Sequence, residues 1–292
     1  MRRQLHLSSS MKKLHSLYTD KSGKGKLLAA PYVFWSAFFI IIPLCMILYY
    51  GVTDKTGAFT LQNITAIASI GHARAFWRSL LLSVVSTVIC FLLAYPLAMI
   101  LSGMKEKKHN FIILIFILPM WMNFLLRTLA WQTLLEKTGV INNILSFFHL
   151  PALNIINTPY AIVLGMVYNF LPFMVLPIYN ALVKIDPNVV NAAKDLGANN
   201  IQTFFKITLP LSIPGIISGI TMVFIPALTT FVISKLLGGS KILLIGNVIE
   251  EEFTQAGNWH LGSGLSIVLM IFILINMAAS AIFDKDGEGG LL

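Results

Sequence analysis

Charged residues are scarce in this chain of 292 residues. Asp, Glu, Lys and Arg make up 11% of the sequence, whereas hydrophobic residues make up 57%. An average soluble domain contains about 25% charged residues. A soluble fold would have too few charged side chains to cover its surface, so the composition predicts one membrane domain with the lipid bilayer as its solvent.

Several catalytic and metal-binding motifs are also missing. The sequence contains no GxxxxGK[ST] phosphate-binding loop, no HExxH and no GxSxG, so the chain cannot itself supply ATP hydrolysis. Its two cysteines, Cys45 and Cys90, lie far apart in apolar segments and lack metal-ligand spacing. These absences predict a protein that is not an enzyme and that has no catalytic residue, no cofactor and no metal site.

Six apolar runs of about 20 residues are present, and each is long enough to cross a bilayer as a helix. Backbone groups in lipid must be satisfied within their own segment, which favours helices for all six. The sequence therefore predicts an all-α integral membrane bundle of six transmembrane helices. The predicted helices are Leu27 to Tyr50, Leu80 to Ser102, Phe111 to Trp131, Ala161 to Val183, Leu211 to Ile233 and Gly264 to Phe283.

The distribution of basic residues predicts the orientation of these helices. The net charge is +9, but the basic residues cluster at the ends of apolar segments and form no stripe with interleaved aromatics, so nucleic-acid binding is not expected. Seven of the 21 Lys and Arg residues precede Leu27. By the positive-inside rule, both termini are expected in the cytoplasm.

The two ends of the chain differ from the membrane domain, which is predicted over residues 27–283. Residues 1–26 are basic and polar without apolar periodicity, so we expect a flexible cytoplasmic extension near anionic lipid headgroups. Residues 284–292 are expected to form a short unstructured cytoplasmic tail.

The loop between the fourth and fifth predicted helices, residues 184–210, is too polar to span a membrane and contains helix signals. Asp186 is a favourable N-cap, and Pro187 follows at the first helical position, where its missing N–H costs nothing. Gly197 is suited to the left-handed conformation that ends a helix, and Asn199 or Asn200 is suited to cap the next one. The loop is predicted to form a helix, a turn and a second helix.

The same loop carries a specific resemblance. Asn191-Ala192-Ala193, three residues, Gly197, nine residues and Ile207-Thr208-Leu209-Pro210 resemble the EAA loop of binding-protein-dependent ABC importer permeases. Asn191 departs from the glutamate that is usual in the family. The resemblance implies that the loop couples the membrane helices to an ATPase. The implied coupling residues are Asn191, Ala192, Ala193, Asp195, Gly197, Ile207, Leu209 and Pro210.

The family resemblance also implies a fold and partners. The implied fold is the MetI-like ABC permease bundle in a bacterial plasma (inner) membrane. The implied partners are two copies of an ABC ATPase subunit, a second related permease subunit and an external substrate-binding protein. Two alternatives stay open: a helical hairpin without a partner, and a non-transporting membrane scaffold.

Four stretches resemble the spermidine/putrescine branch of the family and predict a polyamine substrate; they are residues 118–131, 165–182, the loop itself and 236–253. Another small solute, such as an iron complex, sulfate, a phosphonate or a sugar alcohol, is the alternative. Ammonium groups of a polyamine bind hydrogen-bond acceptors and aromatic faces. The candidate substrate-path residues with that chemistry are Trp121, Asn123, Trp131, Tyr168 and Asn169.

Each of these candidates has an alternative role. The Asn and Tyr side chains suit hydrogen bonding between packed helices equally well, and the tryptophans suit anchoring at the membrane interface. Asn123, Arg127 and Trp131 recur at four-residue steps and are predicted to share one helix face. Arg127 does not suit a cationic substrate, so it is expected to reach the lipid headgroups or to pair with another subunit.

Two further features are predicted outside this path. Glu250, Glu251 and Glu252 form an external acidic cluster that either attracts a cation or a binding protein or is simply a solvated face. The GxxxG pattern from Gly215 to Gly219 predicts close helix packing, either within the chain or across a subunit interface.

Overall fold

The computed structural model describes residues 31–104, 114 and 118–288. These residues form helices and connecting turns, with one isolated antiparallel bridge between Thr53 and Phe59. The main helices, numbered in chain order, are α1 (Pro31–Gly51), α2 (Ile70–Ser102), α3 (Phe124–Leu135), α4 (Val140–Phe147), α5 (Pro159–Val183), α6 (Pro187–Asp195), α7 (Asn200–Leu211), α8 (Ile213–Thr229), α9 (Val232–Leu237), α10 (Ile245–Thr254) and α11 (Trp259–Glu288).

Four of these helices are long and apolar enough to cross a membrane: α1, α2, α5 and α11. A fifth crossing is formed by α7 and α8 if that pair, bent by 63°, is one broken span. The all-α prediction is confirmed. The count of six and the cytoplasmic termini stay predictions, because residues 1–30, 105–113 and 115–117 lie outside the described part of the chain.

The predicted start of the second helix lies too far along the chain. α2 starts at Ile70, ten residues before the predicted Leu80, and includes Arg74 and Arg78. Ser69 supplies the helix start, since its side chain accepts a hydrogen bond from the amide of His72. The helix therefore begins where backbone capping is available, and the apolar run that starts at Leu80 covers only part of it.

Two predicted helices are broken in the structure. The predicted helix from Phe111 to Trp131 is interrupted at Asn123, whose backbone is non-helical and whose side chain caps α3. The predicted helix from Leu211 to Ile233 ends as α8 at Thr229, because Thr230 is extended. The Phe231 carbonyl, just after this second break, accepts the Lys235 amide of α9 and also a hydrogen bond of 3.0 Å from Asn247 Nδ2.

The centre of the bundle is formed by α2, α5 and α8, which pack pairwise against one another. Gly215 and Gly219 of α8 face α5: a Cβ at Gly215 would lie 2.5 Å from the Ala181 Cβ, and one at Gly219 would lie 2.8 Å from the Met174 sulfur. The GxxxG pattern therefore brings two helices of one chain together. The alternative prediction, that this pattern packs against another subunit, does not describe the packing of these two glycines.

The last helix supports the first. α1 packs along α11, and its apolar stretch has no buried residue within the described chain. His260 of α11 fixes the end of α1, since its Nδ1 lies 2.7 Å from the Thr53 carbonyl oxygen and 3.1 Å from that of Tyr50. α11 continues to Glu288, five residues beyond its predicted end at Phe283, so the tail is not unstructured from residue 284 as predicted.

Candidate coupling loop and translocation path

The first helix of the loop, α6, is set by its own sequence. Asp186 is the N-cap, and its Oδ1 accepts the Asn188 amide at 2.9 Å. At the other end, Gly197 has φ +88°, and its amide donates to the Lys194 carbonyl at 2.9 Å. The Ala198 amide donates to the Ala193 carbonyl at 3.0 Å, which completes the glycine-terminated helix end. The predicted helix and turn are both present.

The second helix, α7, begins with a capping box. Asn199 Oδ1 accepts the Gln202 amide at 2.8 Å, and Gln202 Oε1 accepts the Asn199 amide at 3.0 Å. A π-helical turn from Phe204 to Thr208 follows before the elbow with α8. Local hydrogen bonds thus define the start of each helix in the loop and the turn between them.

The motif residues lie on two sides of the loop. Asn191 is exposed and borders an open cavity of about 370 Å³ between α6, Thr208 and the ends of α2 and α5. Leu209 packs against the main hydrophobic core. The other motif residues are fully or partly exposed: Ala192, Ala193, Asp195, Gly197, Ile207 and Pro210. The ends of α2 and α5 therefore lie on the same side of the bundle as the loop.

The three most exposed large apolar side chains of this loop were missed by the sequence reasoning. Leu196 is 90% exposed, Ile201 is 70% exposed and Phe205 is 60% exposed. We call these three residues the apolar patch. Large apolar side chains in a polar loop are the signal that identifies them, since grouped exposed hydrophobics mark interaction surfaces.

The predicted substrate-path residues are only partly brought together. The rings of Trp131 and Tyr168 meet edge to face, with centroids 5.2 Å apart. Both line a cavity of about 810 Å³ between α2 and α5, whose remaining wall is aliphatic or aromatic. This pair offers aromatic faces, as predicted, within otherwise apolar surroundings.

The other three candidates are placed apart from that pair or are already bonded. Trp121 lies in a 3-10 turn before α3 and is exposed. Asn123 uses its Oδ1 to cap α3, accepting the Leu125 amide at 2.8 Å. Asn169 is buried in α5 and donates to the Gly165 carbonyl at 2.9 Å, while its own Oδ1 has no partner among the described residues.

Arg127 does not reach the surface of the chain. It is 7% exposed, and its Nε has no hydrogen-bond partner in the part of the chain that the structure describes. The predicted reach to the lipid headgroups is therefore wrong: α3 turns this side chain inward. The other prediction, pairing with another subunit, stays a prediction.

One of the three carboxylates in the acidic cluster on α10 forms an ion pair. Both carboxylate oxygens of Glu250 lie 3.2 Å from the Lys235 Nζ of α9. Among the described residues, the carboxylates of Glu251 and Glu252 have no such partner. Two of the three predicted negative charges are thus uncompensated, and the sequence reasoning missed Lys235.

A buried polar network, also missed, lies next to this cluster. Asn247 Oδ1 accepts hydrogen bonds from the Ser234 hydroxyl and from the Leu244 amide, while its Nδ2 donates to the Phe231 carbonyl. Ser79 of α2 accepts the Ile245 amide at 2.8 Å and so caps α10. These bonds fix α9 and α10 to α2. In the sequence, the only indication of these hydrogen bonds is the presence of polar residues between two apolar stretches.

The membrane-crossing helices that the structure describes contain no Asp or Glu: this holds for α1, α2, α5, α8 and residues 259–281 of α11. Within the same described residues, no group of three or more His, Cys, Asp and Glu side chains is placed to hold a metal ion.

The sequence matches the family described as "binding-protein-dependent transport system inner membrane component" over residues 64–285. Two relatives are the spermidine/putrescine transport system permease proteins PotB of Haemophilus influenzae and Escherichia coli. The first is 35% identical, covering 90% of this chain and 96% of its own. The second is also 35% identical, covering 87% and 97%.

Solved structures show the same fold. A chain of a bacterial alginate ABC transporter, in complex with its alginate pentasaccharide-bound periplasmic protein, matches with a TM-score of 0.74 and 20% identity, over 92% of this chain and 98% of that one. A chain of the inward-facing MetNI methionine ABC transporter matches with a TM-score of 0.54 and 18% identity, over 74% and 95%. The predicted MetI-like fold is confirmed.

The relatives are permease proteins of transport systems, so the prediction of a transport subunit that is not an enzyme is confirmed. Their family works with a substrate-binding protein and a separate ATPase subunit. The chain belongs to the inner-membrane permease components of binding-protein-dependent ABC importers.

Proposed function

We propose that this chain is the permease subunit of a polyamine importer, taking up spermidine or putrescine, and that residues 184–210 couple it to the ATPase. The coupling role is supported by the apolar patch. Leu196, Ile201 and Phe205 protrude from a loop whose two helices are each capped by a residue of the loop itself. A rigid loop with exposed apolar side chains is suited to seat in a groove of another protein.

The division of Asn191 from the patch refines this role. Asn191 lines the cavity under α6, against the ends of α2 and α5. The patch faces away from the chain and supplies the contact with the ATPase. Because Asn191 carries no charge, apolar contacts and backbone shape provide the docking energy in place of an ion pair from this residue.

The complete importer contains two ATPase copies, a second related permease subunit and an external binding protein. The unburied stretch of α1, the Arg127 Nε without a described partner and the absence of carboxylates in the described crossing helices all support a second permease subunit. A buried guanidinium is stabilised when a carboxylate of that subunit pairs with it.

The polyamine substrate is supported by the relatives and by the chemistry of the path. Both PotB proteins are named for spermidine and putrescine transport. Trp131 and Tyr168 provide aromatic faces for an alkylammonium ion along a cavity wall that also suits its methylene chain. Glu251 and Glu252, which lack a described partner, attract the cation at the mouth of the path.

The test is uptake of radiolabelled spermidine and putrescine by cells that lack other polyamine importers and carry the complete system. The native chain is compared with Gly197→Asp, which places a charged side chain at the positive-φ turn of the loop. Gly57→Asp is the matched control: Gly57 also has positive φ, +81° against +88°, but lies before α2, at the opposite end of that helix from the loop.

We expect uptake by the native chain and the Gly57→Asp control, and no uptake by Gly197→Asp at equal amounts in the membrane. If the native system imports neither polyamine, the substrate assignment is wrong and the importer class remains. If Gly197→Asp imports normally, the loop does not couple transport to ATP hydrolysis.

A further inference from the structure

The elbow between α7 and α8 is a defined joint. The two helices meet at Ser212 with a bend of 63°. The Ser212 amide is shared between the carbonyls of Thr208 at 3.1 Å and Leu209 at 3.2 Å, and its side chain is wholly buried. Pro214, just beyond, has no amide hydrogen to continue the ladder. The loop therefore enters the membrane through a bend and not through a continuous helix.

The elbow is attached to α2 by one buried hydrogen bond. Tyr95 Oη lies 2.9 Å from Ser212 Oγ, and both side chains are buried. Ser212 Oγ donates its own hydrogen to the Leu209 carbonyl at 2.9 Å. It therefore has only acceptor capacity left for Tyr95, and the tyrosine is the donor.

Aromatic packing holds the Tyr95 ring in place. Its ring meets Phe204 of α7 edge to face, with centroids 5.7 Å apart, and meets Phe91 of α2 at the same distance. Phe204 belongs to the π-helical turn of the coupling loop. Tyr95 thus contacts the loop through its ring and the elbow through its hydroxyl.

Beyond the elbow, α8 cannot shift easily relative to α5. A Cβ on Gly215 would lie 2.6 Å from the Pro177 carbonyl oxygen, and one on Gly219 would lie 3.2 Å from that of Met174, so the two backbones are already in close contact. A displacement of α7 is therefore taken up at Ser212, and the bond from Ser212 leads to α2.

We infer that the Tyr95–Ser212 hydrogen bond transmits movement of the coupling loop to α2, which makes Tyr95 a positioning residue for ATP-coupled transport. The inference rests on the proposed coupling role of residues 184–210. It adds a second route into the bundle, from the elbow to α2, beside the covalent route through α8.

The test uses the assembled importer in lipid nanodiscs, with native chain, Tyr95→Phe, Ser212→Ala and the double variant. Tyr95→Phe keeps the ring and removes only the hydroxyl. The readout is the stimulation of ATP hydrolysis by substrate-loaded binding protein, with spermidine uptake measured in proteoliposomes. Ser83→Ala is the matched control, since this buried hydroxyl of α2 bonds only to its own helix, at the Ser79 carbonyl.

We expect each single variant to lower the stimulation and the uptake per ATP by roughly fivefold, the range that one hydrogen bond supports. The double variant should match the singles, because both remove the same bond. A merely structural role predicts a different pattern: lower thermal stability in the singles, partial recovery in the double variant and unchanged stimulation. That pattern, or native stimulation in both singles, would overturn the inference.

The experiment separates this inference from the proposed function. A native complex that takes up neither spermidine nor putrescine contradicts the polyamine assignment, and the stimulation of ATP hydrolysis by the binding protein with its own substrate still tests the hydrogen bond. A Gly197→Asp complex with native stimulation contradicts the coupling role of the loop, and the inference then fails with it.

Discussion

The two ends of the bundle use the same residue types in opposite ways. At the coupling loop, Asp186 and Asn199 cap helices from exposed positions, while the large apolar side chains point outward. At the other end, Asn247 and Ser79 are buried and bonded, and they connect α10 to α9 and α2. The first end exposes apolar side chains that a partner could cover, whereas the second is hydrogen-bonded to its own chain.

The two ends differ in whether their hydrogen bonds act within one helix or between separate helices. The caps of the loop act on neighbouring residues, so their loss is felt mainly within a single helix. The bonds of Asn247 join α10 to α9 and to the break before it, so their loss uncouples these segments and leaves the buried Leu244 amide without a partner. Substitution of asparagine at the two ends measures this difference directly.

The largest effect is expected for Asn247→Ala. It leaves the buried Leu244 amide without its partner and removes the bonds that join Asn247 to the Phe231 carbonyl and the Ser234 hydroxyl, which we expect to cost about 3 kcal/mol of unfolding free energy. The same change at Asn199 removes one exposed cap and should cost about 1 kcal/mol. Denaturant unfolding of the purified chain in mixed micelles measures both. Equal costs at the two positions would contradict the contrast.

The next effect concerns the apolar patch. Leu196→Gln removes an exposed leucine, so the fold is unaffected, but burial of that side chain against the ATPase is lost. At about 2 kcal/mol for a leucine, the affinity of the ATPase should fall about thirtyfold. Titration of the ATPase subunit onto nanodisc-embedded permease measures it. The control is Leu150→Gln, an exposed leucine outside the loop, and an equal loss there would show that the patch is not specific.

A smaller effect is expected for the ion pair at the opposite end. Lys235 is 52% exposed, so its pair with Glu250 should contribute about 0.5 kcal/mol and weaken as salt is added. A double-mutant cycle of Lys235→Met and Glu250→Gln measures the coupling energy at two salt concentrations. Glu251→Gln serves as the reference carboxylate. A salt-independent coupling energy would contradict the exposed character of the pair.

The smallest effect is expected at the turn after α1. Hydrogen bonds from the Thr56 hydroxyl and amide hold the pKa of the exposed Asp54 below its ordinary value of 3.8. Since the folded pKa is the lower one, the stabilisation is complete above the ordinary value and is lost as pH falls through the lowered one. An NMR pH titration of the Thr56 and Ala58 amides should show this, and Asp54→Asn should abolish it. A midpoint above 3.8 would contradict the bonding.

The loop was predictable because its signals are local. Asp186, Pro187 and Gly197 each specify a backbone conformation from their own chemistry, and the structure has the helix and turn that they predict. The six-residue spacing from Asn191 to Gly197 and the position of Pro210 identified the family without any three-dimensional information.

The remaining features depend on contacts between distant residues. The break after Thr229 is accompanied by a bond from Asn247, and the inward direction of Arg127 depends on where α3 begins. Asn123 was placed on a substrate-facing stripe by its helical spacing, although an asparagine before an apolar helix is also an N-cap signal. Tyr95 and Ser212 are 117 positions apart, so no local pattern connects them.

The crossing helices that the structure describes carry no acidic side chain, and this has a consequence for how the importer is made. A newly inserted copy that has not yet met its partners offers a cation no counter-charge along those helices, and an ion in hydrocarbon without one faces a high barrier. Along these described helices, an unassembled subunit therefore favours leakage of protons and metal ions less than one with intramembrane carboxylates would. A copy that waits in the membrane for its partners should dissipate the membrane potential correspondingly less.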